Sequence, residues 1–265
     1  MSLKDKTAIV TGGTSGIGLA TVEELLKNGI SKILVIDLKD SLDKVFRTYL
    51  KQFNKNAEIF YAKCDVSKKS DIEQTFRKLA IRKLGSIDIL VNAAGIFKED
   101  NPDMEIAVNL GGTVNCTLTA IDLMSKDKTR PGRAIVNISS LAGLDPVAHA
   151  AVYCATKFGV VGFTRSLGED SVFNKTGVRA MVICPGATFS SMVKDPLQMT
   201  ATFPWLQPSL QKYVACAKFQ EATVVGKCVV RALLEGTAGS VWVCMEDRIR
   251  QVQYEESKFE KLFQS

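Results

Sequence analysis

Thr11-Gly12-Gly13-Thr14-Ser15-Gly16-Ile17-Gly18 follows the apolar run Ala8-Ile9-Val10 and opens a helical pattern over 18–28. Strand, glycine-rich turn, helix: this order decides the fold. Glycines at 12, 16 and 18 let the backbone turn tightly and approach a pyrophosphate. The helix that follows supplies free N–H groups and the positive end of its dipole. A glycine turn by itself also fits a merely structural bend, so its neighbours carry the weight.

Outward from that turn, short β-rich runs alternate with amphipathic stretches. Strands are predicted over 8–11, 33–37, 57–62, 87–91, 133–138, 178–183 and 240–244, and helices over 18–28, 42–53, 70–84, 110–125, 152–173 and 221–234. Several strand runs are apolar on both faces, as in a buried parallel sheet. Alternation with right-handed crossovers gives an α/β chain with one doubly wound, seven-stranded parallel sheet and helices on both faces. No linker or repeat divides residues 1–265, so one dinucleotide-binding and catalytic domain is expected. The rhythm breaks over 190–220, which holds Pro196, Pro204 and Pro208. A loop of that length inside one domain reads as a lid over a site. Its Met192, Leu197, Met199, Phe203, Trp205 and Leu206 are apolar. The tail 246–265 is polar with an apolar period (Ile249, Val252, Phe259, Leu262, Phe263), read as a short docked helix, a partner-binding arm or a frayed end.

Composition narrows the function classes. Hydrophobic residues make up 46% of the 265, enough for a large core. The net charge of +6 comes from scattered Lys and Arg without a basic stripe, which speaks against nucleic acid. Seven cysteines, an odd count without a Cys-x-x-Cys pair, read as reduced thiols in packed elements. With one histidine in the chain, no metal site is expected. The N-terminus runs almost directly into a strand, leaving no room for a signal peptide, and no apolar run reaches the length of a membrane span. A cytoplasmic protein is the expectation.

Asp37 stands at the end of the second strand, nineteen residues past Gly18. There a carboxylate can accept hydrogen bonds from both ribose hydroxyls of an adenosine and would repel a 2′-phosphate, so NAD is favoured over NADP. Nearby Lys39 is the one counter-argument. Asp65-Val66 follows the third strand, where an adenine would rest. Asn92-Ala93-Ala94-Gly95 ends the fourth, with small residues that admit a cofactor. Tyr153 and Lys157 are one helical turn apart and leave the same helix face. An ammonium there gives the phenol a reason to ionise near neutral pH. His149, on the loop before them, reads either as a substrate-facing donor or, the favoured reading, as an exposed residue at the rim, and Cys154 reads as packing.

Thr11–Gly18, Asn92–Gly95, Ser140, Tyr153-x-x-x-Lys157 and Pro185-Gly186 stand in the order of the short-chain dehydrogenase/reductases. The resemblance runs from Lys6 to Cys244 and looks most like the NAD-dependent hydroxyprostaglandin dehydrogenases and the insect alcohol dehydrogenases. It implies a Rossmann-type domain. By position, Tyr153 would be the general acid/base and Lys157 would lower its pKa and hold the nicotinamide ribose. Ser140, thirteen residues before Tyr153, would bind the substrate oxygen. Asn109 would support Lys157 through a water. Cofactor contacts would come from Gly12, Thr14, Ser15, Gly16, Ile17, Gly18, Asp37, Asp65, Val66, Asn92, Ala93, Gly95, Tyr153, Lys157, Pro185, Gly186, Thr188 and Ser190. Position 93 departs from the family's usual Asn, as it does in the insect enzymes. In the family the helices here near 110–125 and 152–173 pair between subunits, implying a homodimer or homotetramer.

The expected function is hydride transfer between NAD(H) and a lipophilic secondary alcohol or ketone, such as a terpenoid, steroid or fatty derivative. The apolar 190–220 segment suggests that substrate class. The alternatives are an NADP-dependent carbonyl reductase and a catalytically silent NAD-binding sensor or storage protein.

Overall fold

Consecutive apolar residues along the strands bury both faces of a single sheet. In the computed structural model, which describes residues 2–125, 132–190, 192 and 199–253, β1 (Thr7–Thr11), β2 (Lys32–Asp37), β3 (Glu58–Lys63), β4 (Ile89–Asn92), β5 (Arg133–Ile138), β6 (Val178–Pro185) and β7 (Val241–Met245) are parallel. With a further strand, β8 (Arg248–Val252), the sheet order is β3-β2-β1-β4-β5-β6-β7-β8. Ala8, Val10, Ile33 and Val35 face one apolar cluster, and Ile9, Leu34 and Ile36 face the other. This is the two-residue period of a strand covered on both sides. Chain order reverses between β1 and β4, and such a reversal opens a crevice at the carboxyl ends of the strands.

The helices are α1 (Gly16–Lys27), α2 (Lys44–Lys51), α3 (69–84), α4 (102–125), α5 (Ala151–Leu167), α6 (Asp170–Thr176), α7 (Gln207–Cys216) and α8 (Ala222–Glu235). Val22 and Leu25 of α1 and Val225 and Val229 of α8 cover one face. Ile72 and Phe76 of α3 and Cys116 and Ala120 of α4 cover the other. The Val160-Val161 pair of α5 packs on Val182, Cys184 and Val241.

Five expectations change. The sheet has eight strands, because β8 (Arg248–Val252) returns antiparallel to β7. Glu246 and Asp247, at φ 49° and 61°, make the two-residue turn whose twist suits a hairpin. The 246–265 tail therefore begins as a strand, not a helix. Ile249 and Val252, three apart, fall on opposite strand faces and pack on different clusters; Phe259, Leu262 and Phe263 lie outside the described residues. The predicted 152–173 helix is two helices, broken where Gly168 meets the backbone of Gly239 too closely for any side chain. The helix predicted from Leu110 starts at Pro102, capped by the Asn101 side chain, which accepts from the Met104 N–H at 3.2 Å. Its turns widen to a π pattern over Ala107–Gly112. Finally, 190–220 is not all loop, since Pro204–Leu206 forms a 3₁₀ turn leading into α7.

Candidate active site

The glycine turn and the end of β2 form one unit. Gly12 has φ +64°, and a side chain on Gly18 would overlap the Gly12 carbonyl, so both positions demand glycine. The Thr14 N–H and hydroxyl donate to Asp37 Oδ2 at 3.0 and 2.5 Å. Asp37 Oδ1 accepts from the Leu38 N–H at 2.8 Å. The carboxylate is thus held beside the mouth of the turn. Ser15 is extended and leads into Gly16 and α1. The Thr11 hydroxyl accepts from the N–H groups of Ala93 and Ala94, each at 3.1 Å, and so fixes the loop after β4 against the turn. Val66 is buried against Gly112, where a side chain would collide with it. Burial alone would raise the Asp65 carboxyl, but the Ser67 hydroxyl and amide, with Lys68, hold it below the ordinary value. Asn92 turns its side chain into the sheet, donating to Thr117 Oγ1 at 2.9 Å and Asn137 Oδ1 at 2.8 Å. Only its backbone is left to face the crevice.

Next to this unit lies a cavity of about 280 Å³. Ile17, Ala93, Gly95, Ser140, Tyr153 and Lys157 line it, joined by Pro185, Gly186, Thr188 and Ser190 from the end of β6. Gly12, Thr14, Asp37, Asp65, Val66 and Asn109 lie outside its wall, along the crevice and behind it. The Ser140 hydroxyl caps the 3₁₀ turn Leu141–Gly143, accepting from the Ala142 N–H at 3.1 Å. Lys157 is buried, and its Nζ donates to the Ile138 carbonyl at 3.2 Å and sits 5.3 Å from the Tyr153 ring centre. Asn109, in the π turn, exchanges two 2.8 Å hydrogen bonds with the Ile96 backbone. Its Oδ1 and Lys157 Nζ both border Gly95, at 3.3 and 3.7 Å from where a side chain would begin.

The electrostatics depart from the expectation of a phenol ionised near neutrality. Burial pushes Tyr153 well above the ordinary phenol value, and the Ser140 hydroxyl pulls the other way. Burial also lowers Lys157 to about 8.

Several residues here left no local signal in the sequence. Glu99 is 4% exposed, and its carboxylate accepts from the Val152 and Tyr153 N–H groups at 3.1 and 2.7 Å. Glu105 is fully buried, and burial raises it to about 7. His149, expected at an exposed rim, is 6% exposed, lines the cavity and packs against Tyr213 with ring centres 5.0 Å apart. Of the apolar residues picked from 190–220, Met192 and Met199 line the cavity. Phe203 and Trp205 stack on each other at the surface, and Leu197 lies outside the described residues. Leu210, Tyr213 and Val214 of α7 supply the wall instead. The Sγ of Cys154 accepts from the Val147 N–H at 3.2 Å, in keeping with packing. No metal-binding cluster and no helix long and apolar enough to cross a membrane occur among the described residues.

Known proteins resemble this chain along most of its length. Residues 6–200 match the family model described as short chain dehydrogenase. The chain is similar to alcohol dehydrogenase 1 of Ceratitis capitata, 34% identical over 253 residues, covering 96% of each chain. It is similar to 15-hydroxyprostaglandin dehydrogenase [NAD(+)] of Rattus norvegicus, 39% identical over 197 residues, covering 74% of this chain and 71% of that one. Levodione reductase has the same fold, with TM-score 0.75 at 23% identity, covering 91% of this chain and 96% of that one. Over a strand–glycine turn–helix unit and a serine, tyrosine and lysine gathered on one cavity, these likenesses have one meaning: the chain belongs to the short chain dehydrogenase family.

Proposed function

We propose that the protein is an NAD-dependent alcohol dehydrogenase acting on a lipophilic secondary alcohol or its ketone, with Tyr153 as general acid/base. The observation that carries this reading is the convergence of Ser140, Tyr153 and Lys157 on one largely apolar cavity that adjoins the glycine turn. The residues present fit a dinucleotide: Gly12 at φ +64° and Gly18 packed on the Gly12 carbonyl set a tight turn with no side chains of their own, leading straight into the start of α1. Gly12, Thr14, Ser15, Gly16, Ile17 and Gly18 would hold its pyrophosphate. Asp37 would hold the adenosine ribose, and Asp65 and Val66 would border the adenine. The backbone of Asn92, Ala93 and Gly95 would border the rest, with Pro185, Gly186, Thr188 and Ser190 at the nicotinamide end. The cofactor supplies hydride acceptance and return at that end.

Protein groups handle the proton. Ser140 Oγ holds the substrate oxygen against the Tyr153 phenol. As the phenolate, Tyr153 takes the alcohol proton during oxidation; as the phenol, it returns a proton to the carbonyl oxygen in reduction. Lys157 adds positive charge beneath the ring, and Asn109 keeps the loop at Ile96 in place beside it. Segment 190–220 would act as the lid. Its two ends are tied at the base, where Phe189 N–H donates to the Gln220 carbonyl and Gln220 N–H to the Ala187 carbonyl, each at 2.9 Å. Met199, Leu210 and Tyr213 then close an apolar wall that favours hydrocarbon over charge. A homodimer or homotetramer built on α4 and α5 belongs to the same proposal; exposed Leu118 and Phe158 give those helices apolar outer faces.

The test is a secondary-alcohol panel run with NAD and with NADP. Oxidation of a lipophilic member with NAD preferred, and loss of about 10³-fold or more in turnover by Tyr153→Phe with NAD binding kept, is the expected result. Preference for NADP, or near-normal turnover by the variant, overturns it.

A further inference from the structure

The first turn of α5 has no cap of its own. Ala150 stands at the cap position and carries no side-chain oxygen, yet Tyr153 is the third residue of the helix. The free N–H groups at a helix start need partners, and leaving them unmet loosens the turn. Here the partners come from two distant places. Glu99, in the loop after β4, accepts from Val152 N–H through Oε2 and from Tyr153 N–H through Oε1. Thr202, in the segment after β6, accepts from the Ala151 N–H at 2.8 Å. Its own hydroxyl donates to Glu99 Oε2 at 2.6 Å, and its backbone N–H donates to the His149 carbonyl at 3.1 Å. The two residues are 103 positions apart in the chain, and together they supply the acceptors for all three N–H groups.

We propose that Glu99 and Thr202 are positioning residues for catalysis: a latch through which the stretch 199–216 holds the helix turn carrying Tyr153. The proposal rests on Tyr153 being the acid/base. Thr202 lies between Met199 and Leu210, both of which line the cavity. A substrate filling the cavity presses on the same stretch of chain that caps the helix. When Thr202 is seated, Ala151, Val152 and Tyr153 have their acceptors and the phenol is held at Ser140. When Thr202 withdraws, the Ala151 N–H loses its acceptor and Glu99 loses one of its three donors. The first turn then loosens under the phenol.

Thr202→Val keeps the shape and removes the hydroxyl, and Thr202→Ser keeps the hydroxyl. The valine variant should lose about tenfold in kcat while NAD affinity and melting temperature stay near wild type, and the serine variant should restore kcat. Amide hydrogen exchange at Val152 and Tyr153 should quicken in the valine variant alone. Glu99→Gln should lose kcat as well, and adding Thr202→Val to it should cost little more, because both act through one contact. Wild-type kcat in Thr202→Val, or losses that multiply in the double variant, overturns the latch. If Glu99→Gln does not fold, the valine and serine pair decides alone. An inactive wild-type protein across the alcohol panel would instead sink the proposed function, which keeps the two failures apart.

Discussion

Lys157 Nζ sits 5.3 Å from the centre of the Tyr153 ring and donates its hydrogen bond to the Ile138 carbonyl, not to the phenol. Burial of that ammonium has a cost. Its folded-state value near 8, against 10.5 for a free lysine, comes chiefly from that burial.

The sign follows from proton counting. Below pH 8 the amine is charged in both folded and unfolded chains, and the folded site bears the full burial cost. Between 8 and 10.5 the unfolded chain keeps a proton that the folded site has released, so stability rises with pH. A difference of that size corresponds to on the order of 3 kcal/mol. Lys157→Met should therefore compare best with wild type below pH 8 and lose its relative advantage as pH approaches 10.5, in thermal melts without cofactor. Melting curves that stay parallel across that range would contradict the assigned burial cost.

Ser140 is the group that opposes burial at the phenol. Removing its hydroxyl leaves burial unopposed, raises the phenol further and shifts the rising limb of alcohol oxidation to higher pH. Ser140→Ala should show that alkaline shift together with a loss of about 10–100-fold in kcat/KM and unchanged NAD affinity. A fall in rate with an unmoved pH profile would mean that Ser140 only binds substrate.

Glu105 Oε1 accepts from the Lys98 N–H at 3.2 Å, while Oε2 has no hydrogen-bond partner among the described residues. Burial raises the carboxyl from 4.5 to about 7. Its contribution to stability is complete below 4.5 and is lost as pH rises through 7. Glu105→Gln should melt higher than wild type at pH 8, with the gain shrinking toward pH 5. The carboxylate also adds to burial in raising Tyr153, so the variant should move the alcohol-oxidation profile to lower pH. An equal stability difference at pH 5 and pH 8 would rule out the buried-carboxyl account.

The residues legible in the sequence are those whose roles depend on local spacing. Gly12 and Gly18 stand in one turn, Asp37 ends the next strand, and Tyr153 and Lys157 share a helix face. Glu99 and Thr202 could not be read this way: their partners lie across the fold, and a buried acid or threonine in a loop has no periodic signature. Asn92 ends a strand beside the glycine turn, which its place in the sequence shows; that its side chain completes a polar network with Thr117 and Asn137 inside the sheet is visible only in the fold. The return strand β8 was hidden because Ile249 and Val252 repeat at three, a spacing shared by a helix face and by the two sides of a strand. His149 was misplaced because its loop is covered by α7, an element that three prolines disguised as irregular chain.

His149 is the chain's single histidine, so its imidazole signals in a proton NMR titration carry no ambiguity. Burial lowers its pKa from 6.5, with Glu99 pulling the other way. The folded protein should therefore titrate at a midpoint below 6.5. Because the unfolded chain takes up the proton first, stability should fall as pH drops through 6.5 toward that midpoint. The ring lines the cavity beside Tyr213, and α7 places Tyr213 there. Tyr213→Ala opens that side to water, which weakens the burial and should move the midpoint back toward 6.5. A lipophilic alcohol bound with NAD should have the opposite effect, drying the cavity and lowering the midpoint further. A midpoint at or above 6.5 that responds to neither change would mean that His149 is solvated in solution and takes no part in the substrate wall.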